Sequence, residues 1–240
     1  MACRDGRCLA ATVDGIQEWS RAQERVIALV TGLSPEAAEV SVPACPDWTV
    51  RDLLSHMVGL GADVVAGDEP DDHNAAWTAR QVARRRGRGV GELVEEWRSV
   101  ADPLREWMRG HGIRPLFDVT IHEQDLRGAL GLPGARDTPA MAAVRDRYVA
   151  RLAGRLAGLP PICLVGDAWR WDSQPGAEAA VVLRAPDSEL TRALLARRSA
   201  NQLRAWTIRG DVGPYLEAFT ALGPLPDRDL SESGERKPAG

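Results

Sequence analysis

The tetrapeptide Gly158-Leu159-Pro160-Pro161 divides the chain into two kinds of pattern. Adjacent prolines supply no backbone N–H and push the preceding residue out of the helical region, so neither a helix nor a central strand runs through them. Before the break, apolar residues recur at helical spacing; after it they come in short, strand-length runs. The expected fold class is therefore α+β. A helical bundle is expected over residues 12–158 and a small α/β domain over 161–222, followed by a disordered tail over 223–240 rich in Pro, Ser and charge.

Within the first part, Val13 to Leu33 reads as a helix, and Ser34 to Pro46 as a Pro-bearing loop. The next helix has a clear start: Thr49 can cap it, with Asp52 three residues on, close to a capping box. Its apolar stripe runs from Val50 through Leu53, Leu54 and Met57 to Val64 and Val65. A polar helix follows an acidic turn and ends at Arg84-Arg85-Arg86, broken by Gly87 to Gly91. Leu93, Val94, Trp97, Val100, Leu104, Trp107 and Met108 make another helical face. Pro115 suits the first turn of a helix reaching about Leu130, and Thr138 to Leu156 is the last long helix of this part. In the second part, Ile162–Val165, Ala168–Trp171 and Ala179–Leu183 read as strands, then Ser188–Trp206 as a helix and Tyr215–Leu222 as a short one.

Composition narrows the functional classes. A chain 44% hydrophobic and 27% charged can bury a core, and a net charge of −4 is a poor basis for general nucleic-acid binding. No apolar stretch reaches the roughly 18 residues that a membrane helix needs. Met1 to Ala11 lacks the apolar core of a secretory signal. Cys3, Cys8, Cys45 and Cys163 are scattered without a C-x-x-C pair, so a reduced, cytoplasmic protein is expected and Cys45 reads as a bystander. The arginines at 84–88 lack interleaved aromatics and read as a solvated helix end. Gly87-x-Gly89-x-Gly91 follows no strand, so it fails as a phosphate loop. His73 and His111, in polar or Gly-flanked segments, read as solvated, and Trp48 as an apolar anchor ahead of its helix.

The remaining histidines carry the chemistry. On the helix from Pro115, Asp118, His122 and Asp125 share one stripe, bordered by Val119, Leu126 and Leu130. A carboxylate buried there without a partner costs several kcal/mol. Asp118 and His122 are four apart, so their side chains can converge on one cation. His56 lies at the edge of the apolar stripe of its own helix and can face the same interior. Two imidazoles and a carboxylate suit Zn²⁺ with an open position, or non-haem Fe²⁺. Asp125 would hold an imidazole N–H or serve as a spare ligand. Spacing alone equally allows a surface Asp118–His122 pair and no metal at all.

Two stretches resemble a known family. Cys45-Pro46-Asp47-Trp48-Thr49-Val50-Arg51-Asp52-Leu53-Leu54-Ser55-His56 is similar to the N-terminal metal-binding motif of the mycothiol-dependent maleylpyruvate isomerase family. Asp118-Val119-Thr120-Ile121-His122-Glu123-Gln124-Asp125-Leu126, with Leu130-Gly131 after it, resembles the second motif. The resemblance implies a DinB-like four-helix bundle, a divalent metal that is usually zinc, and a C-terminal domain related to sterol carrier proteins. It places His56, Asp118 and His122 as ligands, with Asp118 where some members carry the longer Glu. It further implies mycothiol as thiol cofactor or co-substrate of an isomerase or S-transferase. The substrate would be small, electrophilic and acidic, the protein a monomer or homodimer, and neither nucleic acid nor membrane a partner. Arg197 and Arg198 are weak candidates for holding an acidic substrate, though solvent exposure is the plainer expectation for both. The competing reading is a non-catalytic metal- or ligand-binding bundle of the same fold.

Overall fold

The computed structural model describes residues 14–70 and 74–231. The expectations for Val13, the N-terminal arm, Cys3, Cys8, His73 and residues 232–240 lie outside them. Helix α1 (Gly15–Val30) starts at Asp14, whose carboxylate accepts from the amides of Ile16 and Gln17, and it buries Trp19, Ala22, Val26 and Val30 on one face. The segment expected to be a plain loop instead forms a short helix α2 (Pro35–Ala38) and a two-stranded hairpin, β1 (Ser41–Val42) with β2 (Cys45–Thr49). Helix α3 (Val50–Ala66) begins at the anticipated capping box: the Thr49 hydroxyl accepts from the Asp52 amide and the Asp52 carboxylate from the Thr49 amide, both at 3.1 Å. Helices α4 (Ala75–Arg84), α5 (Val90–His111) and α6 (Arg114–Leu130) follow. α3 packs against α4, α5 and α6, and α1 closes the group against α5 and α6. Trp19, Leu53, Leu54, Leu93, Trp97, Leu104, Leu116 and Leu126 meet in this first core, each fully or nearly fully buried.

The contact between α3 and α4 depends on a missing side chain. A Cβ on Gly59 would lie 2.6 Å from the Gln81 Cβ and 2.7 Å from an Arg85 guanidinium nitrogen. Gly59→Ala is therefore expected to lower stability by about 1–3 kcal/mol through overpacking, read as a shift in the urea midpoint. An unchanged midpoint would mean that α4 moves away without cost.

Helix α7 (Pro139–Gly154) precedes the Pro-Pro break, yet Val144, Tyr148, Val149 and Leu152 belong to a second core. That core lies against a sheet in the order β4 (Arg170–Asp172), β3 (Ile162–Val165), β5 (Val181–Arg184), β6 (Thr207–Arg209). β3 and β5 are parallel, and the other pairs are antiparallel. Ile162 and Leu164 pair with Val181 and Leu183, and the period of two turns all four into the second core. Ile121 of α6 joins them, while Val119 and Leu126 of the same helix face the first core. The architecture is thus a largely helical region followed by a small mixed α/β domain, as the two sequence patterns implied.

Three details differ from expectation. The helix read over 188–206 is two helices, α8 (Asp187–Leu194) and α9 (Ala200–Ala205). Between them Ala196 takes φ 55°, a left-handed conformation that an alanine adopts at a cost. The short helix near residue 215 is a 3₁₀ turn, Gly213–Phe219. Asp229 and Leu230, expected in a disordered tail, lie against the start of α9. Ser199 donates to Asp229 at 2.5 Å, Gln202 donates to the Leu230 carbonyl at 2.8 Å, and Leu230 is buried. No helix among the described residues is long and apolar enough to cross a membrane.

Candidate metal centre

The rotation of α6 is set by a buried carboxylate. Glu123 accepts from Arg25 of α1 at 2.8 and 2.9 Å and from Arg127, one turn on, at 3.0 Å. Charge-assisted, bidentate pairing of this kind is both strong and directional. It leaves Asp118 and His122 facing the second turn of α3, where His56 is buried.

There three predicted residues meet. Asp118 Oδ1 lies 3.2 Å from His56 Nε2 and 3.5 Å from His122 Nε2. The two imidazoles stand edge to face, 5.1 Å between centroids, and Trp48 is inclined against His56 at the same separation. One ligand atom from each of the three lies within 4.8 Å of the other two. Ligands at roughly 2.0–2.2 Å from a tetrahedral zinc are about 3.4 Å apart. The two distances from Asp118 are close to that edge length. The other nitrogen of each ring is engaged from behind: His56 Nδ1 by Gln81 Oε1 at 2.7 Å, and His122 Nδ1 by Asp125 Oδ2 at 3.0 Å. Imidazoles that ligate metals are held in this way.

A second trio, Cys45, His122 and Asp125, is equally close-set, but its donors are committed. Asp125 is fully buried and takes Arg192 Nη2 on Oδ1; Arg197 reaches both of its oxygens at 3.3 Å. Burial favours its neutral form, yet Arg197 and Arg192 overcome this and hold the carboxyl well below the usual carboxylate range. Burial and the adjacent Asp125 push the Cys45 thiol up to about 12, against the pull of the two arginines. The His56 imidazole is buried, which disfavours its charge, but the Asp118 carboxylate and the bonds to Asp118 and Gln81 raise its pKa on balance. His56, Asp118 and His122 are thus one of two close-set donor groups, the one whose carboxylate is not held between two arginines, with Asp125 behind it.

Residues 19–112 match the family model for the mycothiol maleylpyruvate isomerase N-terminal domain, a stretch that includes His56 but stops short of Asp118 and His122. Two crystal structures superpose on the chain, one of the mycothiol-dependent maleylpyruvate isomerase and the other of a histidine-to-alanine mutant of it. Both give a TM-score of 0.53 over 76% of this chain and 88% of the solved one, at 13% and 12% identity respectively. The fold is related to that of maleylpyruvate isomerase. At this identity the likeness concerns the fold, and the chemistry has to be argued from the residues. No curated protein matches the chain.

A cavity of about 720 Å³ opens beside the trio, lined by Trp48, His56, Asp118 and His122 and by four arginines, Arg114, Arg147, Arg151 and Arg197. The expectation for Arg197 and Arg198 needs correction. Neither is solvent-exposed. Arg197 turns inward to Asp125 and reaches the cavity wall, while Arg198 is fully buried against Glu189 at 2.6 and 3.0 Å and is not part of the lining. The arginines that sequence reasoning missed are Arg147 and Arg151, one turn apart on α7. They lie over the Phe117 and Tyr148 rings at 4.6 and 4.8 Å and have no carboxylate partner among the described residues. Their spacing of four was visible, but which way α7 faces was not. Arg85, read as part of a solvated helix end, is buried and paired with Glu96 at 2.5 Å. His111 is exposed, stacked on Trp107.

Proposed function

We propose that the chain is a metal- and thiol-dependent isomerase or S-transferase acting on a small anionic electrophile. His56, Asp118 and His122 would hold the ion, zinc in the first instance, and mycothiol would be the thiol. The observation that carries this reading is the convergence of two braced imidazoles on one carboxylate oxygen at the wall of a ligand-sized cavity. An ion held by these residues would supply Lewis acidity, which favours the ionised, nucleophilic form of a thiol.

The protein's own groups do the rest. Asp118 places its charge between the two imidazoles, so that both Nε2 atoms face one point. Gln81 and Asp125 keep the rings from turning. Burial and Asp125 favour the protonated form of Cys45. Arg147 and Arg151 offer a pair of forks to the carboxylate of a substrate whose reactive carbons lie toward the trio. Trp48 and Phe117 give the cavity apolar walls for a conjugated chain.

Elemental analysis of the purified protein, with turnover of an electrophilic acid measured with and without thiol, tests the proposal. One equivalent of zinc and a rate that requires thiol are expected. Bound metal with no effect of thiol would favour the non-catalytic binding reading instead. The double variant Arg147→Gln/Arg151→Gln is expected to raise KM for an acidic substrate about tenfold or more while leaving kcat close to wild type. A matched neutral electrophile should be unaffected, and equal losses on both substrates would remove the arginines from substrate binding.

A further inference from the structure

We infer that Gln81, with Asp63 behind it, is a positioning residue that dictates which nitrogen of His56 faces the ion. The inference rests on the metal-centre reading above. It begins at the surface, where Arg84 donates to Asp63 Oδ1 at 3.0 Å. The other oxygen, Oδ2, accepts from Gln81 Nε2 at 3.1 Å. A carboxylate offers acceptors only, so the amide nitrogen of Gln81 has to be the atom turned toward it. Its oxygen is then turned to His56 Nδ1, 2.7 Å away. A carbonyl oxygen also offers only lone pairs, so Nδ1 carries the hydrogen and donates it. In the neutral ring the lone pair is left on Nε2, the atom that approaches Asp118.

The alternative arrangement is closed off. Flipping the Gln81 amide would set oxygen against the Asp63 carboxylate and a donor against Nδ1–H. Gln81, Asp63 and His56 are 0%, 5% and 6% exposed, so bulk water is not at hand to repair such a mismatch. The backbone places the amide as firmly. Arg85, itself tied to Glu96, donates to the Gln81 carbonyl at 3.1 Å, and Gly59 lets α4 sit directly on α3. The two imidazoles are thus braced differently, His122 by a carboxylate and His56 by a neutral amide whose direction a second carboxylate sets.

Zinc affinity measured by competition with a chelating dye tests this, on wild type, Gln81→Leu and Gln81→Glu, alongside the thermal midpoint of each. Gln81→Leu removes the acceptor and is expected to weaken zinc by about 10–100-fold. Gln81→Glu keeps an acceptor for Nδ1–H and is expected to bind within a few-fold of wild type, although its charge beside Asp63 lowers the midpoint. A merely structural role predicts the reverse, with affinity following the midpoint in both variants, and that result overturns the inference. So does wild-type affinity in Gln81→Leu. Nitrogen-15 spectra of zinc-loaded wild type give a check that needs no variant. They should show the His56 proton on Nδ1, and a proton on Nε2 overturns the inference while leaving the metal centre standing. A wild type that takes up no zinc overturns both.

Discussion

His56→Ala is expected to lose zinc and, with it, thiol-dependent turnover, by at least the roughly 10²–10³-fold that follows loss of a single charge-stabilising group. His56 supplies one of three donors, and its loss leaves Asp118 and His122, both on a single helix. The fold should survive, because the first core is built from other α3 residues, among them Leu53, Leu54, Met57 and Val58. Circular dichroism and the denaturant slope check that point, and metal content and rate check the rest. Turnover equal to wild type in a zinc-free variant would sink the proposed chemistry.

Asp125→Asn is expected to cost about 3–5 kcal/mol of stability, the range for removing one partner from a buried ion pair. Arg192 and Arg197 are 2% and 8% exposed, and both direct guanidinium nitrogens at this carboxylate. Natural domains hold only about 5–15 kcal/mol in total, so the urea midpoint should fall steeply. Acid supplies an independent reading. A carboxyl whose folded pKa is depressed contributes its full stabilisation above the ordinary carboxylate value of about 4. That contribution is lost as pH falls through the folded value. Wild type should therefore lose stability below about pH 4 through this group, while the variant, which never had the contribution, shows a shallower decline. A midpoint shift under about 1 kcal/mol would show that the arginines find other partners.

What could be read from the sequence was whatever depends on near neighbours. Thr49 and Asp52 cap α3 by a local rule, and the face shared by Asp118, His122 and Asp125 follows from helical spacing alone. What could not be read depends on how separate elements pack. Gln81 lies in a helix that looked merely polar, and its role exists only because Gly59 admits it to within reach of His56. Arg147 and Arg151 acquire meaning from the orientation of α7 against α6. The break between α8 and α9 has no glycine or proline to announce it, although Ser199 and Gln202 form a second capping box that marks the start of α9. The inward turn at Ala196 then carries Arg197 to Asp125, where a continuous helix had suggested two exposed arginines.

Helix α6 serves as a wall of both cores, and the carboxylate bracing His122 is gripped from α8 and the turn after it. During synthesis, a nascent chain that has emerged only to Pro160 already contains every donor for the ion, but not the pair of guanidinium groups that hold the last imidazole's support in place. The support of His122 is therefore completed only by residues that leave the ribosome last.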